Sequence, residues 1–170
     1  MQTFYLGLGS NLGDRRSLLR DAMARLTATA NAWRGALLYE TAPLDYLDQP
    51  WFLNTVLEVS FAQRIDPHRF LADCLELEAR FGRIRHTPKG ARTLDIDLLL
   101  CRENGDFITC DETRDGVALT LPHPRLHERR FVLEPLCELI PDERHPLIGR
   151  TFADLLSECR EHEVNLVSVP

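Results

Sequence analysis

No run of this chain approaches the ~18–20 consecutive apolar residues that a bilayer-spanning helix requires. The amino-terminal MQTFYLGLGSN lacks the basic segment and long apolar core of a signal peptide. Cysteine is present but unpatterned. Cys74, Cys101, Cys110, Cys137 and Cys159 are widely spaced, none stands in a CxxC pair, and their number is odd. That spacing offers neither a zinc motif nor a disulfide framework, and predicts reduced thiols in a cytoplasmic protein. Positive charge is not in excess: the net charge is −6 and the pI near 5.5, where a general nucleic-acid binder is more often basic. Internal repeats, low-complexity tracts and a recognisable linker are lacking too, so residues 1–170 read as one domain, long enough for a real core. GLGSNLG is neither a GxGxxG in its proper context nor a P-loop with its lysine. No Ser-His-Asp or Cys-His constellation stands out.

What is present is ordinary globular composition, 44% hydrophobic and 27% charged. Thr3–Leu8 is a short apolar strand. Asp14 or Asn11 can cap a helix to about Ala28, with Leu18, Leu19, Ala22 and Leu26 on one face. A strand follows near Ala36–Glu40, then an irregular loop between Pro43 and Pro50, then a strand over Phe52–Phe61. Asp66-Pro67 opens a second helix that runs to about Phe81 and stops at Gly82. Phe107–Thr109 and Val117–Leu121 flank a polar turn and predict a hairpin. Leu126–Arg130 predicts a helical turn, Phe131–Leu139 an apolar run broken by Pro135, Phe152–Cys159 a last short helix, and Val164–Val169 an extended end. The order βαββαβ fits an α/β (α+β) ferredoxin-like sandwich, one mostly antiparallel sheet with helices on one face.

The stretch richest in chemistry is Gly82–Leu100, GRIRHTPKGARTLDIDLLL. Arg83, Arg85 and Arg92 surround a Thr87-Pro88-Lys89-Gly90 segment that cannot form a regular element, and that composition predicts mobility. Leu94–Leu100 reads as a buried strand with acids at i and i+2, so Asp95 and Asp97 project from one face, roughly 6–7 Å apart at the backbone. Burying two bare acids is costly, and a divalent metal offsets that cost. Mg²⁺ held by carboxylates, with arginines on phosphate oxygens, describes a polyphosphate site. The plainer readings are two solvent-facing acids on a half-exposed strand and a solvated basic loop. His123 lies between two prolines, and with Arg129 it could form a second phosphate clamp. On their own terms Phe52 and Phe131 read as core residues.

Several motifs coincide with one family. GSNLGDR (Gly9–Arg15), DQPWFLN (Asp48–Asn54), ELEARFGRIR (Glu76–Arg85), ARTLDIDLLL (Ala91–Leu100) and PHPRLHERRFVLEPL (Pro122–Leu136) resemble 6-hydroxymethyl-7,8-dihydropterin pyrophosphokinase, in order and over most of the chain. The resemblance implies a ferredoxin-like fold and pyrophosphoryl transfer from ATP to the pterin hydroxymethyl oxygen, releasing AMP, in folate biosynthesis. It implies that Asp95 and Asp97 hold two Mg²⁺ ions. It also implies that Arg83 and Arg92, with Arg85 beside them, reach the phosphates from a mobile loop. Glu78, Leu98, Thr120, His123 and Arg129 match the ATP site. Thr41, Pro43, Leu44, Phe52, Asn54, Asp95 and Phe131 match the pterin pocket, with Phe52 and Phe131 sandwiching the ring and Asn54 reading its polar edge. The family expectation is a monomer acting on small molecules, without nucleic acid or membrane. Two departures stand out. Where many members carry WGPR, this chain has Lys89-Gly90-Ala91-Arg92, so an aromatic residue is missing from a loop one residue shorter, and Leu75 replaces a polar residue of some members. A non-catalytic nucleotide- or RNA-binding module of the same fold is the alternative, opposed by net acidity and the lack of an RNP-type aromatic run. An ordinary kinase releasing ADP is a third reading.

Overall fold

Strand β1, Gln2–Ser10, is buried along nearly its whole length, as a strand flanked on both edges and covered on both faces must be. In the computed structural model, which describes residues 1–43, 47–83, 90–159 and 164–167, β1 pairs antiparallel with β4 (Phe52–Phe61) on one side and β5 (Asp95–Glu103) on the other. Leu44, Arg85 and the Thr87-Pro88-Lys89 segment lie outside the described residues. The described strands continue outward as β6-β5-β1-β4-β3-β9, where β3 is Tyr39–Thr41, β6 Asp106–Phe107 and β9 Val164–Leu166; β2 (Ala32–Gly35) also pairs with β4. All these pairings are antiparallel, and the central order is that of a ferredoxin-like sheet.

Helix α1, Arg15–Thr27, starts where the Asp14 carboxylate accepts from Ser17 N at 3.2 Å. Helix α2, Pro67–Arg80, starts where Asp66 accepts from His68 N and Arg69 N, and ends before Gly82, whose φ of +78° suits glycine. Both helices lie on one face. Leu19 and Ala22 of α1 and Phe70 and Cys74 of α2 pack on Phe4, Leu6, Leu53 and Leu57, with Phe4 stacked on Phe70 at 4.2 Å between centroids.

The other face is covered as well, which corrects the expectation of helices on one side. Tyr5, Val56, Leu99 and Leu100 are apolar on that face and demand a cover of their own. It comes from α3 (Arg130–Leu139) and α4 (Phe152–Glu158) through Val132, Leu133, Leu136, Phe152 and Leu155. Helix α3 runs through Pro135 unbroken, against the sequence expectation. A proline inside a helix costs ~3 kcal/mol. Burying Val132, Leu133 and Leu136 returns about 1.5–3 kcal/mol each, so packing wins.

Two further expectations shift. Of the strand expected over Ala36–Glu40, only Tyr39 and Glu40 are in a strand, β3; Ala36–Leu38 form the break between β2 and β3. Gly35 opposes Leu57 and Tyr39 opposes Asn54, which leaves one residue too many on the outer strand. The bulge is held by Ala36 N donating to Val56 O at 2.9 Å, by Leu37 N donating to Glu138 Oε2 at 3.0 Å, and by the Tyr39 hydroxyl donating to Glu138 Oε1. The predicted hairpin partner is also different. Two Xxx-Gly turns, Asn104-Gly105 and Asp115-Gly116, each have positive φ at both positions, as type I′ turns require. The first folds β6 back onto β5. The second pairs β7 (Cys110–Arg114) with β8 (Val117–Leu121), in place of Phe107–Thr109 with β8.

His145 is buried beside α4, its Nδ1 accepting from Leu147 N and Ile148 N at 3.3 Å. Burial first, and the neighbouring His127 second, push its pKa down from 6.5 to about 4. Between those values the unfolded chain binds more protons than the folded one, so this stability is complete above pH 6.5 and is lost as pH falls toward 4. The full loss is roughly 3 kcal/mol. Urea unfolding at about pH 7 and about pH 5 should show a smaller acid-side loss for His145→Gln than for the wild type. Equal losses in the two proteins would contradict the assignment.

Candidate active site

At the start of β5, Asp95 lies across from Gly9 and Asp97 across from Gly7. The two carboxylates share the sheet face that carries Phe52 and Asn54 of β4 and Thr41 of β3. Glycine on β1 keeps the floor between them open. A Cβ on Gly9 would lie 2.9 Å from Asn54 Oδ1, closer than real contacts allow. Asn54 cannot easily yield, because its Nδ2 donates to Thr41 Oγ1 at 2.7 Å in a buried bond. Gly9→Ala should therefore break that bond and cost about 1 kcal/mol in urea unfolding, while Gly7→Ala, whose Cβ meets Leu99 at an ordinary 3.5 Å, should cost less.

Three arginines converge on the acids. Arg83 Nη1 contacts Asp95 Oδ1 at 2.7 Å, and Arg92 Nη1 donates to Asp95 Oδ2 at 2.8 Å. Arg129 Nη1 reaches Asp97 Oδ2 at 3.3 Å. Behind Arg83 stands Glu78 of α2, only 2% exposed, which accepts from Arg83 and from Ile96 N. Burial raises the Glu78 pKa, while the Ile96 N–H and Arg83 oppose the rise. Asp97 is likewise held above the usual carboxylate range, first by burial and then by the charge of Asp95, against His123, Arg129 and Arg92. His123 is pushed down, mainly by burial, against the pull of Asp97. Arg92 lies over the Phe52 ring at 5.9 Å and Arg129 over Phe131 at 5.6 Å.

These groups line a cleft of about 610 Å³, within the range of small-molecule sites. Of the residues singled out in the sequence, Thr41, Pro43, Phe52, Asn54, Phe131, Glu78, Leu98, Thr120, His123 and Arg129 all line it. Arg83, Arg92, Asp95 and Asp97 line it as well. Leu44 and Arg85 are outside the described residues. Phe52 and Phe131, which read as core from sequence, face the cleft.

Sequence reasoning missed Asn11. It is 2% exposed and pins three segments: its Nδ2 donates to Gln49 Oε1 and Pro50 O, its Oδ1 accepts from Arg92 N, and its N donates to Arg92 O. In sequence it is one of several turn residues after β1, and no local pattern announces partners 38 to 81 positions away. Arg125 and Leu71 also line the cleft without a sequence signal.

Fold and cleft define a ferredoxin-like α+β protein that gathers two carboxylates and three arginines at one end of its central strands. The chain belongs to the 7,8-dihydro-6-hydroxymethylpterin-pyrophosphokinase family, whose model matches residues 5–141. It is 41% identical over 137 residues to a 2-amino-4-hydroxy-6-hydroxymethyldihydropteridine pyrophosphokinase of Bacillus subtilis, covering 79% of this chain and 76% of that one. It is 40% identical over 144 residues to the protein of the same name in Methylorubrum extorquens, covering 84% and 85%. A folic acid synthesis protein fol1 of Pneumocystis carinii is 32% identical over 98% of this chain, which spans only 21% of that relative's length. Among solved structures, Plasmodium falciparum HPPK-DHPS superposes with a TM-score of 0.66 at 16% identity, over 93% of this chain and 43% of that one, which supports the fold.

Proposed function

We propose that this chain, as one domain, transfers the pyrophosphoryl group of ATP to the hydroxymethyl oxygen of 6-hydroxymethyl-7,8-dihydropterin, releasing AMP. The observation that carries this is the meeting of Asp95, Asp97, Arg83, Arg92 and Arg129 beside an aromatic-walled cleft, in a member of this family. The donor set fits Mg²⁺, a hard cation that takes oxygen ligands. Asp97 in particular is half-buried beside Asp95 with its pKa raised, and a divalent cation would favour its ionised form. Asp95 and Asp97 would hold two such ions, whose chemistry is to neutralise the phosphate charge.

The rest falls to this chain's own side chains. Phe52 and Phe131 flank the flat pterin ring, and Asn54, oriented by Thr41, presents its amide to the polar edge. Gly9→Ala should accordingly weaken pterin binding about tenfold in a fluorescence titration, since it displaces that amide. The pterin oxygen attacks the β-phosphorus in line, the bond to the α-phosphate oxygen breaks, and the hydroxyl proton passes toward an aspartate carboxylate. Arg83, Arg92 and Arg129 turn from the aspartates to the phosphate oxygens, where charge develops. The site belongs to a cytoplasmic monomer of folate biosynthesis; among the described residues, no helix is long and apolar enough to cross a membrane.

Incubation with ATP, Mg²⁺ and 6-hydroxymethyl-7,8-dihydropterin, followed by separation of the nucleotides, tests the reading. AMP must appear in step with pyrophosphorylated pterin. ADP as the product would make the protein an ordinary kinase, and unchanged ATP would leave a binding module.

A further inference from the structure

Away from the cleft, the hairpin β7–β8 meets the start of α2 through side chains that the proposed reaction does not use. We propose that His68, Cys110 and Glu112 form a zinc site that staples this hairpin to α2. One donor atom from each of the three lies within 4.8 Å of the other two. Cys110 and Glu112 are two apart on β7 and so share a face, and His68 is the second residue of α2. His68 is 7% exposed, so its position is set by the fold and not by solvent.

The present contacts are weak enough to yield. His68 Nε2 is 3.3 Å from the carbonyl oxygen of Glu112, and His68 Nδ1 is 4.0 Å from Asp66. Arg114 bridges Glu112 Oε2 at 3.0 Å and Asp66 Oδ2 at 2.9 Å. A carboxylate has a second oxygen to offer a cation, so Arg114 need not leave. Tetrahedral zinc with bonds of about 2.0–2.3 Å separates its ligands by roughly 3.3–3.8 Å, which these side chains reach by rotating through about 1 Å. Water completes the fourth position.

The donor chemistry selects the metal. Imidazole nitrogen, thiolate sulfur and carboxylate oxygen suit a borderline-soft ion such as Zn²⁺, whereas Mg²⁺ demands oxygen throughout. Binding releases the Cys110 thiol proton to solvent. With that thiolate formed, Glu112 and Asp66 add two further negative charges against Arg114, and the surplus is what a divalent ion neutralises. Asp66 is placed to steady the histidine from outside the ligand set. No spacing along the chain announces this site, because its ligands come from elements distant in sequence. Its consequence lies in the cleft. Strand β8 supplies Thr120 and Leu119 to the cleft wall and α2 supplies Leu71 and Leu75, so an ion joining hairpin and helix fixes the geometry of that wall.

The test is a competition titration. Metal-stripped protein is titrated with Zn²⁺ against a chromophoric chelator in excess Mg²⁺, and separately with Co²⁺, whose thiolate coordination gives a near-ultraviolet charge-transfer band. One Zn²⁺ per chain, the Co²⁺ band, and a rise in Tm with zinc are expected. Cys110→Ser and Glu112→Gln should each weaken zinc at least tenfold with unchanged circular dichroism, while Cys159→Ser and Asp97→Asn should not. Zinc retained by Cys110→Ser, zinc lost in Asp97→Asn, or no zinc taken from the chelator would each overturn the proposal. None of these outcomes bears on the AMP assay, so the two readings stand or fall separately.

Discussion

Asp97→Asn should retain the fold, melt no lower than the wild type, and lose at least about a thousandfold in kcat. The two halves of this expectation have one cause. The Asp97 carboxylate is partly withdrawn from solvent next to Asp95, and its pKa is raised, so at neutral pH the folded state bears a charge it holds less readily than the unfolded chain does. The sign follows from proton linkage: an acid whose folded pKa exceeds its unfolded one destabilises the fold once both states are ionised. An isosteric amide removes that cost, and Arg129, 3.3 Å away, can turn to solvent with little loss because its bond to Asp97 is already long. Catalysis has no such alternative. An amide is a far weaker cation ligand than a carboxylate, and the phosphate charge would lose its counterpart. The measurements are steady-state AMP release and a thermal melt of the same preparation. A variant turning over within tenfold of wild type would remove Asp97 from the mechanism.

Arg92→Ala should lower kcat by about a hundredfold or more while changing the dissociation constant of the free pterin less than about threefold. Arg92 is engaged by Asp95 Oδ2 and by the Gly90 carbonyl, and its backbone is held on both sides by Asn11. In the proposed reaction that holds it close to its working position, and the contact that matters would form only as charge appears on the transferring group. Arg92→Lys should recover little, since an ammonium cannot bridge two phosphate oxygens as a guanidinium does. Arg64→Ala, an exposed arginine paired with Glu103, should behave as wild type. Titration of pterin fluorescence without ATP, beside single-turnover rates, separates binding from chemistry. Parallel losses in both would place Arg92 in the pterin pocket instead of at the phosphates.

Capping and period-two signals in the sequence were dependable; signals whose outcome turned on a distant partner were not. The period-two placement of Asp95 and Asp97 put both on one face, and the cap-and-proline pair Asp66-Pro67 placed the start of α2. Phe52–Phe61 emerged with both ends correct. The break at Ala36–Leu38 was not legible, because its bulge depends on Glu138 of α3, about a hundred positions away. Pro135 misled for a similar reason: its local cost is real, but the burial that outweighs it belongs to the far side of the sheet. The role of Phe52 and Phe131 was invisible to periodicity, since a ring facing a cleft and a ring facing a core alternate alike. Family motifs supplied that assignment, and the cleft puts both rings on its wall.

The pairing of each cleft aspartate with an arginine has a consequence for molecules that compete for the site. The cleft is its own counter-ion: Arg83 and Arg92 close on Asp95, and Arg129 on Asp97. Whatever binds there must trade partners and not merely arrive. If the cleft takes pterin as proposed, a neutral pterin mimic would meet bridges already shut and gain only stacking and the amide of Asn54. A compound that joins the ring to an anionic tail draws the guanidinium groups away and leaves the carboxylates for a cation. Affinity for bisubstrate compounds should thus rise with added divalent ion, while affinity for the ring alone stays flat.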